Sequence, residues 1–280
     1  RRELIALLQP LFTNPAATLS SHDIKRDMVL LRRFGIELSA GYFDVSLAHY
    51  ILQPEMRHRM PDIVGAVLSM DMPQPETTAT QRKAFAPYPA GTEARYTALQ
   101  ADMCLRPRQP LEELLRRNGQ MHLLTGMELP LARVLAAMEW AGVRVDSEEL
   151  ASQARELSSQ LAEIEEQAYE LAGERFNLSS PMQVGEILFG KLGLDKNAKR
   201  TKKGGYSTTE EVLEKHRASH PVVGLILRAR ALKKLLTTYV EALPQLVNPS
   251  TGKIHTTFNQ TVTATGRISS ANPNLQNIPV

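Results

Sequence analysis

At Gly126 the hydrophobic pattern of this chain changes, and that change limits what it can fold into. Downstream, apolar residues recur at helical spacing over long stretches, with clear start and stop signals. Residues 127–140 are apolar on most sides, so a buried helix is expected there, ended by Gly142. Residues 143–145 read as short and extended. Asp146 with Glu149 makes a capping box for a helix that runs to about Ala172, where Gly173 stops it. Ser180, Pro181 and Gln183 start another, which ends near Gly193. Residues 196–205 form a basic, glycine-containing loop. Thr208, with Glu211 behind it, opens the next helix. Pro221 opens a longer one, which Pro244 closes. Residues 248–252 read as a turn, and 253–263 alternate like a strand.

Upstream the pattern is mixed. Residues 2–12 read as helix and 17–21 as extended chain. Residues 24–34 form a helix with Gly35 as its stop, and 36–39 a short strand. Residues 45–52 and 61–70 read as helices. Residues 72–92, with four prolines, read as a loop. Residues 92–118 are mostly helical, interrupted near Pro107 and Pro110.

A length of 280 residues is enough for one or two domains with a real core. The single cysteine, Cys104, excludes an internal disulfide framework and suits a reducing compartment. No apolar run is long enough to span a bilayer. The chain begins Arg-Arg-Glu with no initiator Met, so both ends are read as cut and a fragment is expected. The net charge of +3 hides a strong asymmetry. Residues 126–189 hold 4 Lys/Arg against 12 Asp/Glu, whereas residues 190–280 hold 14 against 5. Such polarity steers a polyanion toward the basic part.

The end of the chain, TATGRISSANPNLQNIPV, concentrates one kind of chemistry. Gly266 suits a tight bend, and Arg267 after it supplies a planar cation with several donors. Asn274, Gln276 and Asn277 add carboxamides that donate and accept. Every Watson–Crick pair presents purine N3 and pyrimidine O2 acceptors at similar places in the minor groove. Donors held there test the shape of a base pair without reading its sequence.

This stretch resembles the first palm block of family A DNA polymerases. The likeness continues upstream to Gly126 through GVRVD, FNLSSPMQVGEIL, STTEEVLEKH and the run into TATGR, which look like the polymerase thumb entering the palm. The resemblance implies that Arg267 touches the primer terminus from the minor groove, and that Asn274, Asn277 and Gln276 lie by the template–primer duplex. It also implies phosphate contacts from Arg230 and Lys234, four apart on one helix face with Lys233 near them. Leu236 stands where relatives can carry a further Lys. The loop residues Lys196, Lys199, Arg200, Lys202 and Lys203 suit the same backbone.

Residues 1–120 resemble the 3′–5′ exonuclease domain of the same family. SHDIKRDMVLLRRFGIEL looks like its second motif and ARYTALQADM its third. The likeness implies a metal-ligand role for Asp27 and matches Tyr96 to the third motif's Tyr. Gln100 replaces the Asp expected four residues on, and a neutral amide is a poor Mg²⁺ ligand. Asp102 is two positions further along the helix and faces away, and Asp23 stands where relatives carry Asn. A degenerate exonuclease is expected. The spacings of His22, His49 and His58 fit no standard metal site, so these are read as ordinary surface or partly buried histidines.

The expected architecture is an α/β ribonuclease H-like exonuclease domain, incomplete at its N-terminus, followed by a mainly α-helical thumb and a short β segment of the palm. The boundaries are 1–122, 123–250 and 251–280. The expected function is that of a DNA polymerase fragment which binds template-primer duplex DNA. In the parent, nucleotide transfer from dNTP to a primer 3′-OH would use Mg²⁺ held by palm aspartates. With those absent, the fragment is expected to be catalytically inactive, with no bound metal. A cytoplasmic, nucleoid-associated setting is expected, with neither membrane nor obligate protein partner. Two alternatives stand beside this reading: a non-catalytic DNA-binding scaffold derived from a polymerase, and a 3′–5′ exonuclease.

Overall fold

Two aspartates organise the start of the fold. Asp23 caps helix α2 (Ile24–Arg32), accepting from the Arg26 amide at 3.1 Å. Asp44 caps helix α3 (Val45–Leu52), accepting from Ser46 and Leu47, while its other oxygen takes the Ile24 amide at 2.7 Å. Between them, strands β1 (Thr18–Ser21) and β2 (Gly41–Asp44) pair in parallel, with α2 as the crossover. These are features of a computed structural model, which describes residues 2–73, 92–201 and 204–278.

By contacts the chain forms two units, Arg1–Gly142 with His255–Gln276, and Val143–Ile254 with Asn277–Val280. In the first, helices α1 (Arg2–Thr13), α4 (Met60–Leu68), α5 (Thr92–Leu105), α6 (Arg108–Arg117) and α7 (Leu129–Ala141) surround the strand pair. Ile24, Phe43, Val45, Ile63, Leu111, Leu115, Leu124 and Ala132 make its core. Pro107 separates α5 from α6 as expected. Pro110 lies in the first turn of α6, where no helical amide partner is lost, so it interrupts nothing.

Several expectations are corrected here. Residues 36–39 are not a strand. Ile36 and Leu38 alternate because both are buried, but the Ser39 and Ala40 amides bond to Phe12 O rather than to a strand. The ladder starts at Gly41 instead. Helix α7 is not buried all round. Leu129, Ala132, Leu135 and Ala136 form one buried stripe, while Val134, Met138 and Trp140 are exposed. The loop expected at 72–92 lies almost wholly outside the described residues.

The second unit is helical. Helix α8 (Ser147–Ala172) starts at Asp146, which accepts from the Glu149 amide, and stops at Gly173 with φ +73°. The reciprocal half of the capping box is not made, because the Glu149 carboxylate takes the Gln153 amide group instead. Leu161, Ile164, Ala168 and Ala172 face Val222, Val223, Ile226 and Ala229 of helix α11 (Pro221–Leu235). Helix α9 (Pro181–Gly185) is extended by a π-helical turn, Glu186–Lys191.

Helix α10 (Glu210–Lys215) begins two residues later than Thr208. Thr208 is engaged elsewhere. Its carbonyl accepts from Arg230 Nη1 at 2.6 Å and its hydroxyl from Nη2, while Arg230 Nε donates to Leu178 O. Pro244 does not close α11. A π-helical turn, Leu236–Val240, follows it, and Pro244 falls inside a last short helix, α12 (Ala242–Gln245). The single strand expected at 253–263 is two strands. Strand β4 (Lys253–Ile254) pairs with β3 (Val143–Arg144), and β5 (Thr257–Asn259) pairs with β6 (Ser269–Ala271). His255 breaks the run by bonding to Glu139 O. Among the described residues, no helix is long and apolar enough to cross a membrane.

Arg230 is thus a pin of the helical unit, and burial lowers its pKa. Arg230→Ala should cost about 2 kcal/mol in urea unfolding, since two carbonyls lose a charged donor. Lys234→Ala, at an exposed position, should change stability by less than about 0.5 kcal/mol.

Candidate nucleic-acid interface

The three-residue strands β5 and β6 are too short to hold themselves in place. Side chains of the first unit fasten them. Glu139 Oε1 accepts from the Phe258 amide at 2.7 Å and from Lys25 Nζ at 2.6 Å. Gln260 donates to both the carbonyl and the carboxylate of Glu128. The His255 ring lies against Gly142, where a Cβ would come within 2.8 Å of it, and Gly142 has φ +66°. Thr256 donates from its hydroxyl toward Ala271 O and Pro273 O.

The turn between these strands carries Arg267. Gly266 adopts φ +77°, a conformation costly for any residue with a Cβ. The Tyr50 hydroxyl donates to Thr263 O at 2.7 Å and accepts from the Gly266 amide at 3.1 Å. Thr263 Oγ1 closes the turn on Arg267 O at 2.7 Å. The Arg267 side chain is exposed, and no hydrogen bond or ion pair to it is found among the described residues.

Gln276 uses both of its polar atoms internally and Asn274 its oxygen. Gln276 Oε1 accepts from the Ser270 amide and its Nε2 donates to Ile268 O. Asn274 Oδ1 accepts from the Gln276 amide and the Ser270 hydroxyl. Their function here is to shape the loop behind Arg267. Asn274 keeps its Nδ2 donor on an exposed residue. Asn277 is exposed and belongs to the second unit, where its carbonyl accepts from the Tyr239 hydroxyl.

In the second unit, Arg200 and Tyr206 form an antiparallel bridge. Thr201 donates to Gly205 O and Ser207 to Lys199 O. The Arg200 guanidinium lies 4.6 Å from the Tyr206 ring centroid and donates to Gly204 O and the Tyr206 hydroxyl. Lys196 and Lys199 are exposed. Lys202 and Lys203 lie outside the described residues. Lys233 and Lys234 point outward on α11, whereas Arg230 on the same helix is turned inward. Four-residue spacing brings Arg230 and Lys234 to one side of the helix without giving them the same environment.

In the first unit, Asp27 is half-buried and accepts from the Ser21 hydroxyl at 2.6 Å; burial raises its pKa. Tyr96 packs on the core and Gln100 is exposed. Asp44 is fully buried, which raises its pKa to about 6, and its oxygens are occupied by amides. Among the described residues, no three His, Cys, Asp or Glu converge as a metal-binding group.

Of the three histidines, His22 is partly buried as expected, whereas His49 and His58 lie in the interior. His49 and His58 are both buried and bonded Nδ1 to Nδ1 at 2.8 Å, and His22 donates to His58 O. Burial, then the neighbouring His49, lowers the His58 pKa to about 4. Their partners come from separate elements, which is why spacing did not reveal them.

Residues 147–280 match the family model described as DNA polymerase family A, and residues 1–116 match that described as 3′–5′ exonuclease. The chain is 43% identical over 262 residues to DNA polymerase I of Synechocystis sp., covering 91% of this chain and 26% of that protein. It is 40% identical over 289 residues to DNA polymerase I of Chloroflexus aurantiacus, covering 99% of this chain and 30% of that protein. The polymerase domain of Pol1 from M. smegmatis, solved in complex with DNA primer-template and dNTP, superposes with TM-score 0.82. That match has 33% identity and covers 99% of this chain and 46% of the other. The chain therefore spans less than a third of each of these two curated relatives.

Two outcomes follow from this geometry. Glu139→Ala strands the Lys25 ammonium, only 10% exposed, and should cost about 3 kcal/mol; Lys25→Met with Glu139→Leu should recover only part of it, because the Phe258 amide still lacks its acceptor. For His58, the unfolded imidazole protonates near its ordinary value and the folded one only near pH 4. Its contribution to stability is therefore complete above about pH 6.5 and is lost as pH falls from there toward 4. Asp44 acts in the opposite sense, its contribution being lost as pH rises through 6. The difference in unfolding free energy between wild type and His58→Gln cancels Asp44 and should shrink across that window.

Proposed function

We propose that this chain, which belongs through residues 147–280 to DNA polymerase family A, is a template-primer-holding part of a DNA-directed DNA polymerase. The observation that carries the proposal is the exposed Arg267 guanidinium on a Gly266 turn whose backbone is tied at Thr263, Gly266 and Arg267. An exposed cation with several donors, carried on a tied backbone turn, fits the acceptors that all base pairs share in the minor groove. Asn274 serves the same segment with its Nδ2 donor, Gln276 supports the loop, and Asn277 is assigned to the duplex from the second unit. Lys199, Arg200, Lys202, Lys203 and Lys234 supply phosphate contacts, and Arg230 aligns the helix that bears Lys234.

The domain reading is an exonuclease-like part over 1–122, a thumb with its connecting helix over 123–250, and a palm segment over 251–280. The parallel β1–α2–β2 unit supports a ribonuclease H-like core for the first part. Its carboxylates do not fit a two-metal site. Asp27 is tied to Ser21, Asp44 is buried with both oxygens engaged by amides, and Gln100 is neutral and exposed. We read this part as a degenerate exonuclease that braces the palm segment.

Nucleotide addition to a primer 3′-OH is proposed for the longer protein, where Mg²⁺ would stabilise the attacking and leaving oxygens. This chain's residues bind and align the duplex. The structure of the M. smegmatis domain with primer-template and dNTP supports that assignment.

The test is fluorescence anisotropy with a labelled primer-template duplex. Arg267→Ala should weaken binding by about tenfold, while the double-logarithmic salt slope should fall by about one. Unchanged affinity would remove the minor-groove assignment. In the longer protein the same substitution should slow primer extension.

A further inference from the structure

The turn that presents Arg267 owes its shape to a residue more than two hundred positions away. Tyr50 on α3 is 5% exposed, and its hydroxyl bonds both ways: to Thr263 O as donor and from the Gly266 amide as acceptor. Those two groups flank the bend. Together with Thr263 Oγ1 on Arg267 O, they leave the backbone little freedom just where the guanidinium emerges. The phenol is itself held. His58 meets the Tyr50 ring edge-on, with centroids 5.4 Å apart. His58 is bonded to His49, and its carbonyl accepts from His22.

We infer that Tyr50 is a positioning residue for the polymerase reaction: it orients Arg267 toward the duplex by buckling the 263–267 turn onto helix α3. The inference rests on the reading of Arg267 as a minor-groove probe. It assigns the exonuclease-like part a task independent of nuclease chemistry. A turn whose backbone is already ordered spends less of its binding free energy on ordering when the arginine it carries engages DNA. Removing only the phenolic oxygen should therefore act through Arg267 and not through the fold at large.

The experiment is a double-mutant cycle in the full 280-residue chain, read by anisotropy on a labelled primer-template duplex. Tyr50→Phe should weaken binding by about fivefold when Arg267 is present, the loss of roughly one hydrogen bond's worth of preorganisation. In the Arg267→Ala background it should change affinity by less than about twofold. Thr263→Val, which opens the same turn from its other side, should repeat the pattern. Limited trypsin cleavage after Arg267 should be faster in both single variants, reporting the turn directly.

Equal weakening in both backgrounds would overturn the inference, because Tyr50 would then act independently of Arg267. So would unchanged affinity in Tyr50→Phe and Thr263→Val while Arg267→Ala still loses binding. If Arg267→Ala itself binds normally, the functional reading fails first, and the trypsin result alone reports whether Tyr50 holds the turn.

Discussion

The Glu139 carboxylate is the interaction on which the C-terminal segment depends. One oxygen receives a lysine from α2 and a backbone amide from β5, so it joins the first helix of the core to the strand that leads toward Arg267. A two-stranded pairing of three residues per strand buries too little to stand alone. Its position comes from buried polar contacts, and these are directional in a way that apolar packing is not. Glu128 with Gln260 and Tyr50 with the 263–267 turn repeat the same device along the segment.

The first unit shows how carboxylates in a nuclease-like scaffold can be turned to structural use. Asp23 and Asp44 begin helices, and Asp27 holds a serine hydroxyl. Asp44 accepts three amides, and its burial favours the protonated form, which disfavours a metal-ligand role. The paired histidines extend the theme: a neutral buried pair braces the ring that braces the turn.

In the second unit, packing of α8 on α11 sets the frame, and Arg230 reaches out of that core to gather Thr208 and Leu178. One helix thus carries an arginine facing inward and lysines facing solvent. The inward cation fixes the helix, and the outward ones stay in solvent.

How much of this was legible in the residues varies with range. Helix starts at Asp146, Ser180 and Pro221 and stops at Gly35, Gly142 and Gly173 depend on neighbours within a turn, so local order revealed them. Charge asymmetry and the TATGR stretch pointed to a polyanionic partner for the same reason: both are written along the chain. Tertiary structure alone decided that Ile36 and Leu38 are buried without forming a strand, that Arg230 turns inward, that His49 meets His58, and that Tyr50 fixes the bend before Arg267. In each case the partner comes from a separate element of the fold, often scores of residues distant, and a hydrogen bond across such a separation leaves no periodic trace in the sequence.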